Sequence, residues 1–154
     1  MGNCIYKIYD KPLRKASNKF PLFSLKGNLF NCKIVDVYDG DTCTAIIRTN
    51  HGLQKHKIRM LGYDSPEMKP LKIAKNRDKE ILAAKEAKEK LISKISNNKD
   101  LSLNTKMIKI ECYDWDKYGR LLGVLKVKNL NVNQWMIDNN YGYPYDGGTK
   151  KKFK

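Results

Sequence analysis

The stretch Ile58-Arg59-Met60-Leu61-Gly62-Tyr63-Asp64-Ser65-Pro66-Glu67 sets one guanidinium, two carboxylates and a chain-breaking proline within one largely apolar run and its exit. Two other stretches carry side chains of the same kinds, Asp39-Gly40-Asp41-Thr42 ahead of it and Asp116-Lys117-Tyr118-Gly119-Arg120 well behind it. Asp41, Arg59, Asp64, Glu67 and Arg120 together make two arginines and three carboxylates. Guanidinium forks suit anionic oxygens taken two at a time. Carboxylates are hard oxygen ligands, right for calcium or magnesium and wrong for zinc. A further carboxylate close to such an ion can orient or deprotonate a water. A plainer reading is open at each place. Ser65 can cap a helix with Pro66 at its first position and Glu67 at the positive end of its dipole, and Asp39-Gly40 suits a turn that needs positive φ. Asp41 is the residue that a simple turn leaves unexplained.

The elements that must position these groups follow from periodicity. From Asn31 the pattern is two-periodic, with Cys32 and Ile34 against Val35 and Val37, then the Asp39-Gly40 turn, then Cys43, Ala45 and Ile47 against Thr44 and Ile46. After a second turn at Asn50-His51-Gly52 a third strand runs through Arg59, with Ile58, Met60 and Gly62 on one side and Arg59, Leu61 and Tyr63 on the other. Pro66 cannot donate to a ladder and ends the run. Residues 71–96 change to helical period, with Ile81, Ala84, Ala87, Leu91 and Ile95 on one stripe and charges opposite. Lys106–Tyr113 and Arg120–Val127 alternate again, and Val132–Asn140 predicts a short helix offering Trp135, Met136 and Ile137 to the core. Five short strands with a long helix between the third and fourth and a short helix after the fifth is the order of an OB-fold barrel, mainly β with helices (α+β).

At 154 residues, with 41% hydrophobic residues, the chain has the length and core of one domain. Its 31 basic against 16 acidic residues give a formal charge of +15, which points to polyanionic partners, nucleic acid or an anionic membrane surface. Cys4, Cys32, Cys43 and Cys112 are scattered without metal spacing, which predicts a reduced, intracellular and cytoplasmic setting. Residues 1–27 read as a basic N-terminal arm, 28–145 as the barrel domain and 146–154 as a basic, mobile C-terminal tail. Met1-Gly2-Asn3-Cys4 matches a lipidation signal, myristate on Gly2 and palmitate on Cys4, although Tyr6 stands where that pattern has Ser or Thr. Such a lipoprotein would be tethered to the membrane; the alternative is an ordinary terminus.

From about Cys32 to about Tyr145, and on the three charged motifs above, the sequence resembles the staphylococcal nuclease (thermonuclease) family. The resemblance implies a calcium-dependent endonuclease (a hydrolase of DNA and RNA phosphodiester bonds, largely independent of sequence) that leaves 3′-phosphate ends, and it implies no obligate protein partner. It implies calcium held by Asp41, Asp64 and the backbone carbonyl of Ser65, which stands where the best-studied members have Thr. It implies catalytic roles for Arg59, Arg120 and Glu67. The chemistry is coherent by itself, since attack of water on a phosphodiester builds negative charge that a dication and two guanidinium forks oppose. Tyr118, Lys117 and Tyr145 are the candidate substrate contacts, Tyr118 binding a phosphate or stacking on a base, or else simply packing. Two other functions fit parts of the sequence: an OB-fold module that binds nucleic acid without cutting it, and a membrane-surface adaptor.

Overall fold

Strands β1 (Leu29–Val37), β2 (Thr42–Thr49) and β3 (Gly52–Met60) run up, down and up through the two short turns, antiparallel throughout. A two-residue strand β4 (Tyr63–Asp64) follows, then the long helix α2 (Arg77–Ile95), β5 (Ile108–Trp115), β6 (Leu121–Val127), a two-residue β7 (Leu130–Asn131), the short helix α3 (Val132–Asp138) and a final β8 (Tyr143–Pro144). A four-residue helix α1 (Lys11–Arg14) precedes them all. The structure, a computed structural model, describes residues 10–73 and 76–148. Gly2, Cys4 and the lysines at 150, 151, 152 and 154 lie outside the described residues.

The sheet order β3-β2-β1-β5-β6 closes on itself, because β6 also pairs with β3 in parallel through Ile58–Leu121, Arg59–Leu122 and Met60–Gly123. The result is a five-stranded mixed barrel with α2 inserted after its third strand, the OB-type arrangement expected. Alternate residues fill it: Cys43, Ala45 and Ile47 from β2, Ile108, Ile110 and Cys112 from β5, Leu121 and Leu125 from β6. In β1 the alternation breaks. Cys32, Ile34 and Val37 are all buried, because a bulge between Ile34 and Asp36 adds a residue and returns Val37 to the inner face. The pairing of Val37 with Val35 on one side therefore does not hold.

The third strand is also shorter than its periodicity suggests. It stops at Met60, and Leu61-Gly62 turn the chain with Gly62 at φ +90°, a conformation glycine adopts without strain. The two-sided pattern is reset there, so Tyr63 enters the core instead of continuing the face of Arg59. Nor do Ser65, Pro66 and Glu67 begin a helix, since α2 starts at Arg77.

Helix α2 buries Ala84, Ala87, Leu91 and Ile95, the predicted stripe, with Ile81 half-buried at its start. At the β1–β2 turn it comes so close that a Cβ on Gly40 would lie 2.8 Å from the Cβ of Ala87 and 2.8 Å from that of Ser65. Gly40 is not among the positive-φ glycines, so it serves this close approach and not a left-handed turn. Asn131 caps α3 by accepting from the Gln134 amide at 3.1 Å, and Val132 and Met136 reach the core while Trp135 and Ile137 pack at its margin. Lys94 lies 4.2 Å from the centre of the Trp135 ring and Lys90 lies 5.6 Å from that of Tyr141, which fastens α2 to α3 and its exit. Ahead of the barrel, Leu25 is buried and the Gly27 amide donates to the Cys112 carbonyl at 2.9 Å, whereas α1 buries nothing. Cys32, Cys43 and Cys112 are buried free thiols. Among the described residues no helix is long and apolar enough to cross a membrane.

Candidate active site

The β1–β2 turn, the end of β3 with the segment after it, and the β5–β6 turn converge on one cleft of about 380 Å³. Asp41, Arg59, Asp64, Ser65, Glu67, Tyr118, Arg120 and Tyr145 all line it. Lys117 does not; it lines an adjoining hollow that shares Arg59, Tyr118, Arg120 and Tyr145 with the cleft, its ammonium 5.2 Å from the centre of the Tyr118 ring.

Arg59 is the centre of the arrangement. Only 8% exposed, it donates from Nη1 to the carbonyls of Met60 and Tyr63, both at 2.8 Å, and from Nη2 to Asp64 Oδ1 at 2.7 Å. Its Nη1 also lies 3.4 Å from Asp41 Oδ1. The turn at Leu61-Gly62 makes this possible by folding two carbonyls back onto the guanidinium of the strand they have just left. Tyr63 fixes the turn from within, its hydroxyl donating to the Gly40 carbonyl at 2.6 Å. Asn133 of α3 braces it from behind, donating to the carbonyls of Leu61 and Gly123.

The Asp41 carboxylate is held from three sides. Its Oδ2 accepts from the Ser65 amide at 2.7 Å and the Ser65 hydroxyl at 2.9 Å, and its Oδ1 accepts from the Thr42 hydroxyl at 2.9 Å. Burial raises its pKa, but Arg59 and these donors outweigh burial and hold it below the usual carboxylate value. Asp39 has the opposite balance. Burial first, and then the charge of Asp41, push it up to about 6, although it accepts from the Asp41 amide at 3.0 Å. The Asp64 carboxylate is gripped by Arg59 on one oxygen and by the Tyr143 hydroxyl, at 3.1 Å, on the other. The backbone amide of Glu67 donates to Glu80 Oε1 at 3.1 Å, which ties the segment after β4 to the first turn of α2.

Arg120 is set by a side-chain-closed turn. Asp116 Oδ1 accepts from the amides of Tyr118 and Arg120, at 2.9 and 2.8 Å, and its Oδ2 accepts from Arg120 Nε at 2.7 Å. Gly119 supplies the positive φ that the turn needs, +76°. The Arg120 guanidinium then reaches across to the Thr42 hydroxyl at 3.4 Å, so both arginines face the same mouth. Tyr118 is 72% exposed, which excludes core packing; its ring lies 5.5 Å from the Arg120 Cζ, as the Tyr145 ring lies 6.0 Å from the Arg59 Cζ.

The donor set fits a hard dication. Asp41 and Asp64 present oxygens only, both nearly buried and both drawn to one cation already, and a carboxylate has about four lone-pair positions to offer. Among the described residues no three His, Cys, Asp or Glu side chains form a metal cage. Sequence reasoning overlooked Tyr38 and Asp39, which line the cleft, and the supporting donors Thr42 and Tyr143. Asp39 was legible in its motif and Tyr38 stands directly beside it, whereas nothing in the sequence singles out Tyr143 from the neighbouring Tyr141 and Tyr145.

The profile of the family described as staphylococcal nuclease homologue matches residues 57–152, which takes in Arg59, Asp64, Glu67 and Arg120 and begins beyond Asp41. Two curated proteins of Oryza sativa subsp. japonica are similar over 92 residues, 60% of this chain: "Probable staphylococcal-like nuclease CAN2" at 28% identity and "Probable staphylococcal-like nuclease CAN3" at 27%. The matched region spans only 20% and 19% of those two proteins. A closed barrel that bears this cleft, three charged motifs in order and a profile match over more than half of the chain's length lead to one conclusion: the chain belongs to the staphylococcal nuclease homologue family.

Proposed function

We propose that the protein is a calcium-dependent endonuclease that hydrolyses phosphodiester bonds of DNA and RNA and leaves 3′-phosphate and 5′-hydroxyl ends. The observation that carries this reading is the convergence of Arg59, Arg120, Asp41, Asp64 and Glu67 on one cleft, with Arg59 locked by two backbone carbonyls and a carboxylate. Asp41, Asp64 and the Ser65 carbonyl would hold calcium, which supplies positive charge against the non-bridging oxygens of the scissile phosphate. Arg59 and Arg120 present guanidinium forks to the same oxygens, strongest where charge builds as the new bond forms. Glu67 orients the attacking water and takes its proton while the bond from phosphorus to the 5′-oxygen breaks. Tyr118 and Tyr145, amphipathic rings on the rim, contact the sugar-phosphate or stack on a base. Intact carboxylates and arginines favour cutting over binding alone, because a binding module has no use for two buried acids beside a phosphate.

Cleavage of single- and double-stranded substrates, with calcium and then with excess chelator, tests the proposal. Cutting with calcium and none with chelator is expected, with magnesium a poor substitute because it demands a tighter octahedral shell. Undiminished cutting in chelator would overturn the metal assignment, and no cutting under either condition would overturn the nuclease reading.

A further inference from the structure

We infer that the outer wall of β1, β2 and β3 is a track for the backbone of a single-stranded nucleic acid leaving the cleft, with Lys57 and Lys55 as its successive phosphate contacts. The inference rests on the function proposed above for its substrate class, and on separate residues for its evidence. Residues two apart on a strand share a face. Lys57 and Lys55 therefore follow Arg59 outward in line, at steps of about 6.6–6.8 Å, comparable with the step between phosphates of an extended single strand. The register puts Thr42, Thr44 and Ile46 beside Arg59, Lys57 and Lys55, and Lys33 beside Ile46, so Lys33 adds a cation in the row of Lys55. Arg48, opposite Leu53, extends the wall one row further. Burial identifies this as the outer face, since Cys43, Ala45 and Ile47 between these positions are buried while Arg48, Lys55 and Lys57 are exposed.

The charge of this wall is unbalanced. Lys33, Arg48, Lys55, Lys57 and Arg59 stand in the three strands against the single acid Asp36. Among the described residues no ion pair neutralises Lys33, Arg48, Lys55 or Lys57, whereas Lys26, Arg59, Arg120 and Lys126 are all paired. One structural role competes. β3 pairs with β6 only from Ile58 onward, so among the described residues Gly52–Lys57 has a free edge, and lysines at such an edge deter strand addition. That role predicts aggregation when the lysines are lost and no effect on salt dependence.

The test is binding of a fluorescently labelled single-stranded oligonucleotide, in chelator so that nothing is cut, across a range of salt. Each phosphate contact on a single strand contributes about 0.7 to the slope of log affinity against log salt. The full-length variant Lys55→Gln/Lys57→Gln is expected to lose about 1.4 of that slope relative to the parent. Lys85→Gln/Lys99→Gln, which removes the same charge from exposed positions on α2 and the loop after it, is expected to keep the parent's slope. Thermal melting checks that both variants are folded. An unchanged slope in the first variant, an equal loss in the second, or a parent with no salt-dependent binding overturns the track. Because no cleavage is needed, a parent that binds with the expected slope but never cuts sinks the nuclease reading and leaves the track standing.

Discussion

Replacing Arg59 by alanine should unfold the protein more readily as well as silence it. The side chain is buried and makes two hydrogen bonds to backbone carbonyls, one charged bond to Asp64 at 2.7 Å and a longer ion pair to Asp41 at 3.4 Å. Its loss leaves two nearly buried carboxylates without their shared counter-charge. Removing one partner of a buried ion pair costs about 3–5 kcal/mol, a large part of the 5–15 kcal/mol that is typical for a domain. At a urea m-value of about 2 kcal/mol per M, the midpoint should fall by about 2 M. Lysine should recover only part, since an ammonium keeps the charge but cannot span two carbonyls and a carboxylate as a planar fork does. Urea unfolding of parent, Arg59→Lys and Arg59→Ala, followed by tryptophan fluorescence in chelator, measures the series. Repeating it with calcium adds a second prediction, that calcium raises the midpoint of Arg59→Ala more than that of the parent, because the orphaned carboxylates gain a cation. An Arg59→Ala midpoint within about 0.5 M of the parent would refute the structural argument.

Arg120→Ala should keep its fold, because Asp116 retains two backbone donors, yet lose on the order of 10²- to 10³-fold in cleavage rate; Glu67→Gln should lose about 10²- to 10⁴-fold. Parent-like rates in either variant would remove that residue from the reaction. Gly40→Ala forces a methyl to within 2.8 Å of Ala87 and Ser65 and should cost about 1–3 kcal/mol, read as a lowered melting temperature. In Asp116, burial raises the pKa but the Arg120 and Tyr118 donors outweigh it and lower it from 3.8. A depressed folded value means that the group stabilises the fold above its unfolded pKa and that this contribution disappears as pH falls through the folded one. Asp116→Asn should therefore flatten the acid limb of stability against pH below about 4, and an unaltered limb would count against it. Finally, we propose that Gly2 carries myristate and Cys4 palmitate, which with the basic residues Lys11, Arg14, Lys15 and Lys19 would hold the protein at an anionic membrane surface, since one acyl chain alone binds only marginally. Intact-mass analysis of protein from cells able to acylate should show both lipids; an unmodified N-terminus would remove the anchor.

What the sequence determined by itself was local and periodic. The alternation of Cys43, Ala45 and Ile47, the helical stripe of Ala84, Ala87, Leu91 and Ile95, and the charged motifs at Asp41, Arg59–Glu67 and Arg120 are set by neighbours in the chain, so they were legible before any fold was known. Even there, one inserted residue in β1 moved Val37 to the core, because a bulge changes parity without changing composition. Only the tertiary structure decided that β6 closes the barrel against β3 and so places Arg120 opposite Arg59. It likewise decided that Gly40 is required by a helix that lies 47 residues further along at Ala87, that Tyr143 grips Asp64, and that Arg59, legible from its sequence as chemistry alone, also holds the fold together. These are contacts between residues distant in the chain. Their energies depend on distance and burial in space, and a one-dimensional pattern carries no record of either.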